Sequence, residues 1–84
     1  MGDENDSLIY MDLQWIGVKK MKVNGKEIKF QENKNILSLL NDFEINKERV
    51  VVEVNLNILE EDQYEKYILR EDDVIELIRF VGGG

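Results

Sequence analysis

The chain has 84 residues, 43% of them hydrophobic and 35% charged, which suits one small folded domain and leaves no room for a deep pocket beside its core. It contains no Cys and no His, which excludes disulfides, thiolate metal sites, a Ser-His triad and the usual general base. A formal net charge of −7 disfavours nucleic acid and anionic membranes as partners and favours a basic protein surface. The chemistry left is that of carboxylates, Lys and Tyr, so neither an independent enzyme nor a metal site is expected.

Residues 1–20 read as an N-terminal extension. Gly2 to Ser7 is acidic and polar, a composition typical of disorder and unlike the basic start of a secretory signal. Ile9, Met11, Leu13 and Trp15 then alternate with Tyr10, Asp12 and Gln14 at strand period, as in an edge strand or a segment docked on the domain. The expectation for this extension is poor order. No apolar run in the chain approaches the length of a membrane span, so a soluble cytoplasmic protein is expected.

The domain proper is expected over residues 21–84. Met21 and Val23 alternate with Lys22, Asn24-Gly25 gives the strongest short hairpin signal, and Glu27 to Phe30 alternates again. Two antiparallel strands follow, with Met21, Val23, Ile28 and Phe30 facing inward. Asn33 and Asn35 are both able to cap a helix, and Ile36, Leu37, Leu39, Leu40 and Phe43 follow helical spacing over about two turns. Val50, Val52 and Val54 form one face of a β-branched central strand. Asn55-Leu56-Asn57 reads as a turn, and Ile58-Leu59 as a short strand.

Tyr64 and Tyr67, three apart, suit a single helical turn packed by its aromatic rings, and Leu69 is expected in the core. The acids Glu60, Glu61, Asp62, Glu71, Asp72 and Asp73 lack the ligand spacing and central Gly of a calcium loop, so they read as solvated surface. Val74 to Val81 is the last strand. Ile75 and Leu77 share one face, and Val74, Glu76, Ile78 and Phe80 share the other. A strand apolar on both faces either lies centrally or shows an apolar patch to a partner.

The strand runs without a break into Gly82-Gly83-Gly84. At average glycine usage, three such terminal residues arise by chance in roughly three of ten thousand chains. They offer a thin flexible backbone ending in one reactive group, the Gly84 α-carboxylate. The order strand, strand, helix, strand, short strand, strand gives an α+β fold. It is a mixed sheet of four to five strands wrapped on one helix, the ubiquitin-like β-grasp, with a flexible C-terminal tail at 82–84.

From Met21 to Gly84, about three quarters of the chain, the sequence resembles the ThiS family of sulfur carriers in thiamine biosynthesis. The resemblance is carried by Val23-Asn24-Gly25-Lys26, Ile36-Leu37-Ser38-Leu39-Leu40, Val50-Val51-Val52-Glu53-Val54-Asn55, Asp73-Val74-Ile75-Glu76-Leu77 and Phe80-Val81-Gly82-Gly83-Gly84. Residues 1–20 have no counterpart in the family pattern, and Leu56 and Asp72 stand where turn glycines are common. The resemblance implies that a ThiF-type adenylyltransferase spends ATP to adenylate Gly84. A cysteine desulfurase or other donor then supplies the sulfur of a thiocarboxylate, and the acceptor is the thiazole synthase ThiG. Gly82 and Gly83 would thread the tail, with Ile78, Phe80 and Val81 as docking candidates. The chain would have no catalytic residues, metal or bound cofactor of its own, and a monomer is expected when free. A carrier of the MoaD type for molybdopterin, a ubiquitin-like modifier and a purely non-covalent binding module remain open on these residues.

Overall fold

The computed structural model describes residues 17–81. Strand β1 (Lys20–Val23) and strand β2 (Lys26–Lys29) form the expected hairpin, with Met21 opposite Ile28 and Val23 opposite Lys26. Asn24 and Gly25 have φ of 52° and 81°, the two positive angles that a tight turn between right-twisted strands demands. The sheet begins at Lys20, one residue before the expected domain boundary, and the Phe30 amide donates to the Lys19 carbonyl at 2.9 Å. The expectations for residues 1–16 and 82–84 lie outside the described residues. Met21 and Val23 are buried, whereas Ile28 and Phe30 are only half-buried, because β2 is an edge strand.

Helix α1 (Ile36–Asp42) lies on one face of the sheet, with Ile36, Leu39 and Leu40 buried. Asn35, not Asn33, is its cap: the Asn35 side chain accepts from the Ser38 amide at 2.8 Å. The amides of Ile36 and Leu37 donate to the carbonyls of Tyr67 and Tyr64, so the free N–H groups of the first turn are met by the segment that follows β4. At the other end Glu44 takes φ 57°, its amide returns to Asn41, and the Ile45 amide returns to Leu40 at 2.9 Å. These are the two bonds of a Schellman stop. Phe43 was expected in the buried stripe and is not there. It occupies the C-cap position of α1, and its side chain is 42% exposed.

Strand β3 (Val50–Val54) buries Val50, Val52 and Val54 as expected, and pairs antiparallel with β4 (Asn57–Leu59) and with β5 (Val74–Arg79). Strand β5 ends at Arg79, two residues short of the expected Val81. It also runs parallel to β1, so the sheet order is β2-β1-β5-β3-β4. A five-stranded mixed sheet with one helix across it is the ubiquitin-like β-grasp. Its core joins the helix to the inward faces of β1, β3 and β5, closed at one end by Tyr64 and Leu69.

Beneath β5, Asp73 is buried and fully engaged. Its carboxylate accepts from the Asn55 side chain at 3.0 Å, the Tyr67 hydroxyl at 3.0 Å and the Arg70 amide at 2.8 Å. Asn55 in turn accepts from the Val74 amide at 2.9 Å. This set of bonds ties the β3–β4 turn to the start of β5 and fixes the level at which the last strand enters the sheet.

Candidate functional site

The last strand decides where the end of the chain emerges. Ile75 and Leu77 point into the core, and the alternation turns Val74, Glu76, Ile78 and Phe80 to the face opposite the helix. β5 is held on both sides by neighbouring strands, so its position is rigid up to the last turn of ladder. The Phe80 amide donates to the Arg49 carbonyl at 3.1 Å, and beyond it Val81 is 94% exposed. The root of the glycine tail therefore leaves a fixed strand directly into solvent.

The three docking candidates lie together at this root. Ile78 is 48% exposed and Phe80 47% exposed on the same outer face, and Val81 follows Phe80 in the chain. The sequence reading missed their neighbours. Val51 lies directly opposite Ile78 in the β3–β5 ladder, and Ile58 on β4 lies opposite Glu53. Val51 is half-buried and widens the apolar row on β3, whereas the well-exposed Ile58 lies diagonal to it, in the row of Glu53 and Glu76. The signal for Val51 was present: once Val50, Val52 and Val54 face inward, Val51 faces out. Only the register shows that it meets Ile78.

The electrostatics of this face are uneven. Glu53 and Glu76 stand directly opposite each other, an unfavourable pairing of like charges. Next to them Lys22 lies opposite Val74 on β1. The face thus offers an apolar row at the tail root and a pair of carboxylates behind it, which suits a partner surface with an apolar centre and a cation beside it.

Tyr64 and Tyr67, the side chains with catalytic potential, are not at this face. Burial, and then the nearby Glu61 and Glu60 carboxylates, push the Tyr64 phenol above its ordinary value. Burial and its bond to Asp73 push the Tyr67 phenol up as well. Both therefore keep their protons at neutral pH, and neither is a base. Among the described residues no group of three or more Asp or Glu side chains is arranged to hold a metal ion. No helix among them is long and apolar enough to cross a membrane.

Comparison with known proteins bears on this geometry. The model of the ThiS family matches residues 18–84. The chain is 35% identical over 65 residues to the sulfur carrier protein ThiS of Bacillus subtilis (strain 168), covering 76% of this chain and 98% of that protein. It is also 31% identical over 65 residues to thiazole synthase of Paramagnetospirillum magneticum, covering 77% of this chain but 20% of the synthase. Among solved structures, the crystal structure of the thiamine biosynthesis protein ThiS from Geobacter metallireducens aligns with a TM-score of 0.66 at 31% identity. That alignment covers 77% of this chain and 99% of the Geobacter protein.

Proposed function

The chain belongs to the ThiS family, and on that premise we propose that it is a sulfur carrier of thiamine biosynthesis whose working group is the Gly84 carboxylate. The observation that carries this reading is the course of β5. A strand locked in the middle of the sheet presents an apolar face and then delivers an exposed Val81 followed by three glycines. An end built in this way is suited to entering another protein's active site while the domain docks outside it.

The chemistry follows from what a carboxylate lacks. Oxide is a very poor leaving group, so Gly84 must first be activated. A carboxylate oxygen attacks the α-phosphorus of ATP, pyrophosphate leaves, and an acyl-adenylate forms in a ThiF-type enzyme. The terminal sulfur of a persulfide supplied by a cysteine desulfurase attacks the acyl carbon, and AMP leaves with the bonding pair. A thiol reductant, itself oxidised to a disulfide, then cleaves the resulting acyl disulfide. Sulfide as donor reaches the same end in the attack alone. The product is a Gly84 thiocarboxylate, able to pass its sulfur to thiazole synthase, ThiG. ATP is consumed by the activating partner, and the carrier serves as a protein co-substrate in the cytoplasm with no catalytic group of its own. Gly82 and Gly83 keep the tail narrow, since any side chain there would widen it and restrict its angles. Ile78, Phe80 and Val81 form the docking surface, extended by Val51 and Ile58.

Two findings support thiazole synthase as the acceptor. A stretch similar to this chain makes up about a fifth of the Paramagnetospirillum synthase, and a thiazole synthase of Magnetococcus marinus aligns in the same proportion. A carrier and its acceptor held in one chain act at high effective concentration.

The test is intact mass after incubation with ATP, a ThiF-type enzyme and a sulfide source. The expected result is the gain of one oxygen replaced by one sulfur, confined to the C-terminal peptide. No gain, with the enzyme shown to be competent on a known carrier, overturns the reading.

A further inference from the structure

A groove runs along the helix side of the β2 edge, where the helix does not reach. One stretch of it, about 310 Å³, is lined by Met21, Ile28, Lys29, Lys34, Leu39 and Phe43 among others. The next, about 340 Å³, shares Ile28 and Phe43 and continues past Lys26 and Ile45 to Arg79. Its floor is apolar and its rim is basic. Lys34 is paired with Asp42 inside the groove, whereas Lys26, Lys29 and Arg79 make no ion pair among the described residues. The rim belongs to an unusually basic stretch of an acidic protein: residues 19–34 hold six lysines and two glutamates, a net charge of +4.

The sixteen residues before Gly17 are complementary to it. They carry Asp3, Glu4, Asp6 and Asp12 and no Lys or Arg, a net charge of −4, with Ile9, Met11, Leu13 and Trp15 at alternate positions. The chain enters the described domain beside the groove. Gly17 turns with φ 76°, and Lys19 bonds to Phe30 at the end of β2 where Lys29, Gln31 and Lys34 line the first stretch. Ile9 to Trp15 extends about 23 Å, longer than the roughly 13 Å of β2, so the segment can reach along the whole groove without strain.

We propose that residues 3–15 fold back into this groove, placing the alternate apolar side chains against Ile28 and Phe43 and the carboxylates against Lys26, Lys29 and Arg79. Trp15, two residues from Gly17, falls in the first stretch. The segment then covers the helix side of the tail root at Arg79 and leaves the outer face with Ile78 and Phe80 free. The inference takes up the docked-segment reading of these residues in preference to poor order, and it does not depend on the sulfur-carrier reading.

Trp15 is the one Trp in the chain, so its fluorescence reports the contact directly. In the full chain its emission is expected at shorter wavelength, and its quenching by acrylamide weaker, than in the Lys26→Glu/Lys29→Glu variant. Both lysines are exposed, so the variant keeps its fold, and a melting curve checks this. Equal emission in the two proteins overturns the proposal, whether the shared value is that of a wet Trp (no docking) or of a buried one (docking elsewhere). Amide exchange gives a second reading: Glu27 to Lys29 should exchange several-fold more slowly in the full chain than in a Met11→Asp/Leu13→Asp variant. Equal rates overturn it.

Discussion

Leu56 shows what a single backbone angle costs. It takes φ 72° in the turn between β3 and β4, and its side chain is 86% exposed, so strain is not offset by burial. A left-handed conformation costs an ordinary residue roughly 1–2 kcal/mol, while glycine adds back some unfolded-state entropy. Leu56→Gly is therefore expected to raise stability by about 0.5–1 kcal/mol in urea melts, with no change in the slope against denaturant. Asp72, with φ 70°, is the other place where the family pattern favours glycine, and it too is left-handed. Tyr67 makes the opposite case. Its hydroxyl bonds to buried Asp73, and loss of a bond to a charged acceptor costs about 1.5–3 kcal/mol. Tyr67→Phe should lose about that much at pH 7. The phenol is raised in the folded state, so its contribution is fully present below the unfolded value of about 10 and is lost as pH climbs through the higher folded value. Stability of the native chain should fall above about pH 10, and the Phe variant should show a flatter decline. An equal decline in both proteins would show that Tyr67 is not the group responsible.

At the scale of elements, β5 separates folding from function along one strand. Ile75 is fully buried, and truncating such a side chain to Ala leaves a cavity worth about 2–5 kcal/mol. Ile78, three residues on, points to the outer face and is about half exposed. Ile78→Asp should leave the melting curve almost unchanged and yet slow adenylation by the activating enzyme, because a charge enters the centre of an apolar contact. A variant that melts normally and is adenylated at the native rate would remove Ile78 from the docking face. Much of this was legible locally. Asn24-Gly25 specified the hairpin and alternation in β3 and β5 their inward faces, while the helix cap was narrowed only to Asn33 or Asn35. Long-range placement was not legible. No local pattern states that β5 inserts between β1 and β3, or that Val51 meets Ile78. Phe43 misled because helical spacing continues one residue past the helix, while the Schellman stop at Glu44 and Ile45 has no glycine to announce it.

For the whole molecule, the same division predicts that the tail and the domain are independent. The candidate end of the chain was the plainest feature of the sequence, because Gly82-Gly83-Gly84 has no core to serve, and Ile78 and Phe80 could be placed with it from alternation alone. In the described domain, the backbone tie nearest the end is that of Phe80 to Arg49, and Val81 is already in solvent. Removing Gly83 and Gly84 therefore leaves every backbone tie and buried side chain of the described domain in place. Changes of this kind fall within about 0.5 kcal/mol, which for a domain of this size is a shift of no more than roughly 4 °C in Tm. The shortened chain should bind its activating partner through the outer face, since Val51, Ile58, Ile78 and Phe80 are untouched, and should act as a competitor of the native carrier while accepting no sulfur. Measuring thiocarboxylate formation on native carrier with increasing amounts of the shortened chain tests both halves at once. Inhibition without modification is the expected outcome. A shortened chain that fails to compete would mean that affinity resides in the tail and not in the sheet, and the docking face assigned to β5 would have to be abandoned.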